Sequence, residues 1–280
     1  MSRTVLITGA ATGIGRETVL RFAGAGWNVV ATTRRPDSIP PEDLMPGVQG
    51  VAMDVTQPDQ IASAIEAAIE EFGGIDVVVN NAGFGEFGVF EAVSTEKIRA
   101  SFEVNVLGVM NVMRAMLPHF RERQSGVFVN ISSAGGIVGM PAMSVYLTTK
   151  FALEGFSESV WFELASQGVA VKLVEPGGVE TPFLGKIMDT RRANPAHDDY
   201  AAFVAHNDHV MSQLAWPRST PIEIADIVFD AATDGTSRLR YFAGPGVAHM
   251  VSARHTFDDE RYEIFMRAEF DALSKLPDLV

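Results

Sequence analysis

Tyr146 and Lys150 stand four positions apart in Tyr146-Leu147-Thr148-Thr149-Lys150, so on a helix a phenol and an ammonium share one face. A free tyrosine titrates near about 10, and acting as a base near neutrality requires its phenolate to be stabilised by roughly 4 kcal/mol, or three pKa units. A neighbouring lysine cation supplies part of that. The same spacing also fits an ordinary surface pair, so its surroundings must decide. A second candidate is Thr8-Gly9-Ala10-Ala11-Thr12-Gly13-Ile14-Gly15, which follows an apolar run and opens an amphipathic one. Backbone amides and the positive end of a helix converge at such a turn, an arrangement suited to a pyrophosphate. Glycines serving only tight packing would give a similar run.

The elements that must position these groups follow from the hydrophobic pattern. Strands are predicted at Thr4 to Thr8, Val29 to Thr33, Gly50 to Met53, Ile75 to Asn80, Val127 to Ser132, Val169 to Val174 and Leu239 to Ala243. They are nearly all apolar, as expected of strands covered on both faces. Helical spacing marks Gly15 to Ala25, Pro58 to Phe72, Lys97 to Phe120 and Ser144 to Ser166. Thr220-Pro221-Ile222-Glu223 reads as a capping box that starts a further helix. The alternation predicts an α/β fold, a Rossmann-type doubly wound parallel sheet of seven strands with helices on both faces. One domain over 1–280 is expected, with an insertion at about 184–219 lying over the active-site edge as a substrate lid. A helical extension follows at about 246–280, its last helix predicted over Asp258 to Leu273.

The order and spacing of these motifs resemble the short-chain dehydrogenase/reductase family. Gly9-x3-Gly13-x-Gly15 departs from the common G-x-G-x-x-G fingerprint and is similar to the family's T-G-x-x-x-G-x-G. Asp54-Val55, Asn80-Asn81-Ala82-Gly83, Asn105-Val106-Leu107-Gly108, Ser133 thirteen positions before Tyr146, and Pro176-Gly177-Gly178-Val179-Glu180-Thr181 extend the match over about residues 1–245. The resemblance implies a catalytic set of Asn105, Ser133, Tyr146 and Lys150. Tyr146 exchanges the proton, Lys150 orients the nicotinamide ribose and lowers the tyrosine pKa, Ser133 holds the substrate oxygen, and the Asn105 amide holds a water linking Lys150 to solvent. It further implies that Gly9, Thr12, Gly13, Ile14 and Gly15 hold the pyrophosphate, that Asp54 and Val55 flank the adenine, and that Asn81, Ala82 and Gly83 shape the adenosine ribose side. Pro176, Gly177, Val179 and Thr181 then meet the nicotinamide. At the end of the second strand, Thr32-Thr33-Arg34-Arg35 carries no carboxylate before Asp37. An acid there would bind a ribose 2′-hydroxyl, whereas Arg34 suits a 2′-phosphate. NADP(H) is therefore expected over NAD(H), the alternative being that both arginines are solvated surface charges.

Phe84, Phe87, Met140, Met143, Phe183, Leu184 and Trp216 flank the expected site, and an apolar pocket points to a hydrophobic ketone, aldehyde or alcohol. The branch containing hydroxysteroid and retinol dehydrogenases is the nearest in pattern. Two competing readings remain: a catalytically silent NADP(H)-sensing module, and an epimerase or dehydratase on a nucleotide sugar. The intact four-residue set argues against the first, and the glycine spacing against the second. The resemblance also implies a homodimer or homotetramer paired through the Asn105 and Tyr146 helices, with Trp161 and Phe162 in part at the interface.

Composition closes off other classes. A formal net charge of -13 disfavours nucleic acid. The chain has no cysteine, which removes thiolate chemistry and Cys-based zinc sites. His197, His206 and His209 lie near Asp198 and Asp199, but without a metal-binding spacing, and no metal is expected. No apolar stretch approaches the roughly 18 residues of a membrane span, and a cytoplasmic protein is expected.

Overall fold

Successive apolar runs become parallel strands because each connection crosses back to the same starting edge, through an α-helix except between the second and third strands, where short turns at Pro36–Ser38 and Pro41–Asp43 serve. The computed structural model describes residues 2–183, 189–190, 193–213 and 216–270. Its strands are β1 (Thr4–Thr8), β2 (Asn28–Thr33), β3 (Val48–Ala52), β4 (Val77–Asn80), β5 (Gly126–Ile131), β6 (Val169–Pro176) and β7 (Arg240–Ala243). They form one seven-stranded, wholly parallel sheet in the order β3-β2-β1-β4-β5-β6-β7. Order reverses between β1 and β4, and the crevice at that switch point is where a doubly wound sheet receives its ligand.

Alternation along each strand divides the core into two layers. Val5 and Ile7 of β1 face one side with Val29, Val77 and Val79, packed against Val19 and Phe22 of α1 (Gly13–Gly24) and Ile224 and Val228 of a helix at Pro221–Thr233. Leu6, Val30 and Val78 face the other, against α2 (Pro58–Phe72), α4 (Gly108–Arg123) and α5 (Ser144–Ala165). Further helices are α3 (Thr95–Phe102), α6 (Ala201–Gln213), α7 (the Pro221–Thr233 helix), α8 (Ala248–Thr256) and α9 (Asp259–Phe270). The capping box at Thr220 forms as predicted, its hydroxyl and the Glu223 carboxylate satisfying each other's backbone N–H.

Three expectations need adjustment. The segment 97–120 is not one helix: a π-helical turn at Glu103–Leu107 separates α3 from α4, because one residue more than the α repeat is accommodated there. β3 is only half buried, with Ala52 exposed, since an edge strand has a neighbour on one side alone. The fifth strand stops at Ile131, although the Ser132 N–H still donates to Val174 O at 2.8 Å. Leu184 and Leu214, and the end of the helix predicted to reach Leu273, fall outside the described residues. Among the described residues no helix is long and apolar enough to cross a membrane.

Candidate active site

The glycine turn is built by close approach. Gly9 and Gly13 adopt φ of 66° and 57°, a region that costs any residue with a Cβ. Gly15 is closed to a side chain because a Cβ would overlap the Gly9 carbonyl and lie 2.5 Å from Asn81 Nδ2. Asn81 fastens this turn to the end of β4: its Nδ2 donates to Thr8 O at 2.9 Å and Gly9 O at 3.1 Å, while the Thr8 hydroxyl accepts from the N–H groups of Asn81 and Ala82. Thr12 makes no side-chain cap, so it covers none of the first-turn amides of α1.

Charge at the β2 end of the crevice is sorted by pairing. Arg16, beside the turn, is tied down by two hydrogen bonds of 2.6 and 2.9 Å to buried Asp43. Arg34 is exposed at the end of β2 and lines the cleft. Asp54 accepts from the Thr56 N–H and hydroxyl, which sets its carboxylate at the rim.

On the other side of the crevice, Tyr146 and Lys150 share the inward face of α5, each only 8% exposed. Burial pushes the Tyr146 phenol up to about 12, opposed by a hydrogen bond with Ser133. Burial also pulls the Lys150 ammonium down to about 8, opposed by the carboxylate of Glu154. Lys150 Nζ donates to Ile131 O at 2.8 Å and lies 5.8 Å from the centre of the Tyr146 ring. Desolvation thus dominates at Tyr146 in the cleft as it stands and favours the neutral phenol. Ser133 accepts from the Gly135 N–H at 3.0 Å and caps the short turn Ala134–Gly136 after β5.

Asn105 sits inside the π turn, fully buried. Its Oδ1 accepts from Phe84 N at 3.0 Å, and its Nδ2 donates to Phe84 O at 2.8 Å and Thr149 Oγ1 at 3.1 Å. Both donors of the side-chain amide are thus spent on the protein, so it braces the β4 exit loop against α5.

A cavity of about 540 Å³ runs from Arg34 to Trp216. It is lined by the described residues assigned above to cofactor or substrate except Gly15, which lies behind the turn, and Phe87, expected to flank the site; Asn105 also stands behind the wall. Met140, Met143, Phe84, Phe183, Met211 and Trp216 make the end of the cavity near Tyr146 apolar. The structure adds an arrangement that spacing does not reveal. Phe87, Phe183 and Tyr146 form a triangle of rings with centroids 5.5 to 5.8 Å apart, clamping the phenol in place. Glu154, Glu175 and Arg240 behind Lys150 were also missed. The helical stripe Tyr146, Lys150, Glu154 was the available signal for the first of them. His197, one of the histidines set aside in the sequence, pairs with Asp199 at 3.1 Å.

The family pattern described as short chain dehydrogenase matches residues 3–192. An uncharacterized oxidoreductase, YusZ of Bacillus subtilis, is 31% identical over 95% of this chain and 97% of its own. Human 17-beta-hydroxysteroid dehydrogenase type 1 is 33% identical over 86% of this chain and 78% of its own. A crystal structure of a short-chain dehydrogenase from Streptomyces avermitilis superposes with a TM-score of 0.80 at 29% identity, covering 97% of each chain. Relatives have been seen with either cofactor. ElxO holds NADP (TM-score 0.73, 25% identity, 89% of this chain and all of that one), and the 3-ketoacyl-(acyl-carrier-protein) reductase of Brucella melitensis holds NADH (0.74, 26%, 87% and 98%).

Proposed function

We propose, from the premise that this chain belongs to the short-chain dehydrogenase family, that it interconverts a hydrophobic ketone or aldehyde and the corresponding alcohol, with NADP(H) as its hydride partner. The observation that carries this reading is that buried Tyr146 and Lys150 and half-buried Ser133 stand together on one wall of a cleft. The opposite end of that cleft is a glycine cradle with no room for side chains. The fit to a dinucleotide rests on that cradle, where a Cβ at Gly9 would come 2.9 Å from Ala82 Cα, and on the end of α1 that Thr12 leaves uncapped.

The nicotinamide, when bound, gives or takes the hydride. In reduction Tyr146 donates its proton to the carbonyl oxygen, a role for which a phenol protonated up to about 12 stands ready. The Ser133 hydroxyl holds the same oxygen and offsets its developing charge. Lys150 keeps a cation beneath the phenol, so that the phenolate left after proton transfer is stabilised. In oxidation these roles reverse, and the apolar wall of Met140, Met143, Phe84 and Phe183 excludes water from both directions.

Arg34 supports NADP(H): it faces the cleft at the end of β2, where no carboxylate stands, while Arg16 is already spent on Asp43. The insertion serves as a substrate lid. Asn194 pins it to the loop after β4, with Nδ2 donating to Glu86 at 2.5 Å and to Phe87 O at 3.0 Å, and Met211 and Trp216 face the cleft. The exposed apolar residues Leu107, Phe151 and Phe162, the last 68% accessible, fit pairing of two copies through α4 and α5.

The deciding experiment incubates the protein with NADPH or NADH and a panel of apolar carbonyls, following the absorbance of the reduced nicotinamide. Tyr146→Phe is expected to lose turnover by at least about a thousandfold while NADPH still binds. A variant as active as the parent, or a parent that binds NADPH and turns over nothing on the panel, would overturn the reading.

A further inference from the structure

One helical turn beyond Lys150 on α5 lies a carboxylate that the reaction as described does not use. Glu154 is 6% exposed, and neither of its oxygens receives a well-formed hydrogen bond. Its charged neighbours come from every element packed around it. On α5 they are Lys150 and Glu158; on β6, Glu175, itself buried; on β7, Arg240. Across the outer cavity of about 530 Å³ stand Arg254 and His255 of α8 and Asp259 of α9, with Arg254 paired to Asp259 at 3.1 Å. Arg240 serves three carboxylates at once: Glu158 at 2.6 Å, Glu175 at 3.2 Å and Glu154 at 3.3 Å.

A single guanidinium cannot compensate three acids. Burial pushes the Glu154 carboxyl up from its usual range, opposed by the Ser132 hydroxyl and by Arg240, 3.3 Å away; an incompletely compensated carboxylate in a protein interior costs several kcal/mol, and an apolar side chain of the same volume would fill the space without that cost. What an apolar side chain would not supply is a negative charge beside Lys150. The local packing is arranged around that carboxylate. Gly136, in the turn that follows Ser133, leaves space that a Cβ would close, at 2.8 Å from Glu154 Cγ and 3.0 Å from Ser132 Oγ. The turn carrying the substrate-facing serine therefore rests directly on Glu154.

We infer that Glu154 is a positioning residue for the reaction: its buried carboxylate, held by Arg240 one turn behind Lys150, keeps the lysine amine charged against the pull of desolvation. The inference rests on the reading that Lys150 works as a cation beneath Tyr146. Its direction agrees with the electrostatics of the site, where burial draws Lys150 down to about 8 and Glu154 opposes it. Because Tyr146 stays protonated to about 12, Lys150 is the first of the pair to lose its proton as pH rises. Reduction should accordingly fall away along an alkaline limb that reports Lys150.

The test is the pH profile of kcat and kcat/KM for NADPH-dependent reduction of the best carbonyl from the panel, between pH 5 and 10. In Glu154→Gln the alkaline limb is expected to move down by about one pH unit, the size of a charge pair one helical turn apart at a protein-like dielectric. Glu154→Asp, which keeps the charge, should restore most of the shift. Glu175→Gln removes an equally buried acid that acts on Glu154 rather than on Lys150, and should not move the limb down. If Glu154→Gln does not fold, Glu154→Met removes the same charge without leaving a polar group to desolvate. A limb that stays put, or a rate that falls by the same factor at every pH, would overturn the inference. Tyr146→Phe separates the two levels: full activity in that variant removes the underlying mechanism, whereas a dead Tyr146→Phe with an unmoved Glu154→Gln limb removes only the role of Glu154.

Discussion

Replacing Asn105 by alanine removes the side chain that fastens the loop after β4 to the helix carrying Tyr146. Three hydrogen bonds disappear, two to the Phe84 backbone and one to Thr149. At roughly 1 kcal/mol each, with a further 1 to 3 kcal/mol for leaving the Phe84 N–H without its partner, the loss comes to about 4 to 6 kcal/mol. Alanine's better helix propensity returns about 0.5 kcal/mol. Thr149 softens the loss slightly, because its hydroxyl keeps its bond to Tyr146 O. For a chain of this size each kcal/mol moves the melting temperature by about 2 to 4 °C, so Asn105→Ala should melt at least about 7 °C below the parent. Calorimetry gives the melt, and turnover measured well below it separates folding from chemistry. Activity should fall as well, since Phe84 lines the cleft and Thr149 touches the Tyr146 backbone. Asn105→Asp sharpens the comparison: it can still accept from Phe84 N but sets an oxygen 2.8 Å from Phe84 O, and should be no more stable than the alanine variant. An unchanged melt accompanied by lost turnover would refute this reasoning and return Asn105 to a purely chemical role.

Gly15→Ala would drive a Cβ into the Gly9 carbonyl and displace Asn81; at about 1 to 3 kcal/mol for overpacking, NADPH affinity measured by calorimetric titration should weaken roughly 10- to 100-fold. Arg34→Asp should weaken NADPH by a similar factor and NADH much less, as expected for loss of a charge-assisted bond to a 2′-phosphate, and equal effects would exclude Arg34 from cofactor choice. Burial raises Glu175 to about 7, with Glu154 adding to the rise. A raised acid favours the folded state while protonated, so its contribution is complete below the unfolded value near about 4.3 and is lost as pH climbs through 7. Thermal melts of Glu175→Gln should therefore exceed the parent at pH 8 and match it near pH 4, and a difference independent of pH would count against the assignment.

The site was legible because of where its residues fall in the chain. A parallel sheet brings every strand's carboxyl end to one edge, so motifs read at the ends of β1, β2, β4, β5 and β6 had to converge. That is why Gly9, Arg34, Asn81, Ser133 and Val179, remote in sequence, line one cavity. The same logic gives no access to a local irregularity. The π turn at Glu103–Leu107 leaves hydrophobic periodicity intact on both sides, and only its hydrogen-bond pattern betrays it. Its effect on the site is nonetheless direct, for it carries Asn105, whose side chain reaches both Phe84 and Thr149.

What escaped the sequence lies on the same stripe of α5 as Tyr146 and Lys150, one and two turns further along, and charge explains why. Tyr146, Lys150, Glu154 and Glu158 form one stripe at helical spacing, which on an ordinary surface helix means solvated polar residues. Whether such a stripe is solvated or buried depends on what the later chain lays over it. Here that cover is β7, bringing Arg240, and the α8–α9 corner, bringing Arg254 and His255 more than 90 residues after Glu154. None of these has a spacing relation to the stripe, so a pattern local to α5 cannot distinguish an exposed acid from one confined beside an amine. The distinction is a matter of dielectric: at one helical turn, two unit charges interact several-fold more strongly in the interior than in water. A residue that reads as surface decoration thereby becomes able to set the charge of Lys150, and the pH at which reduction fails should reveal whether it does.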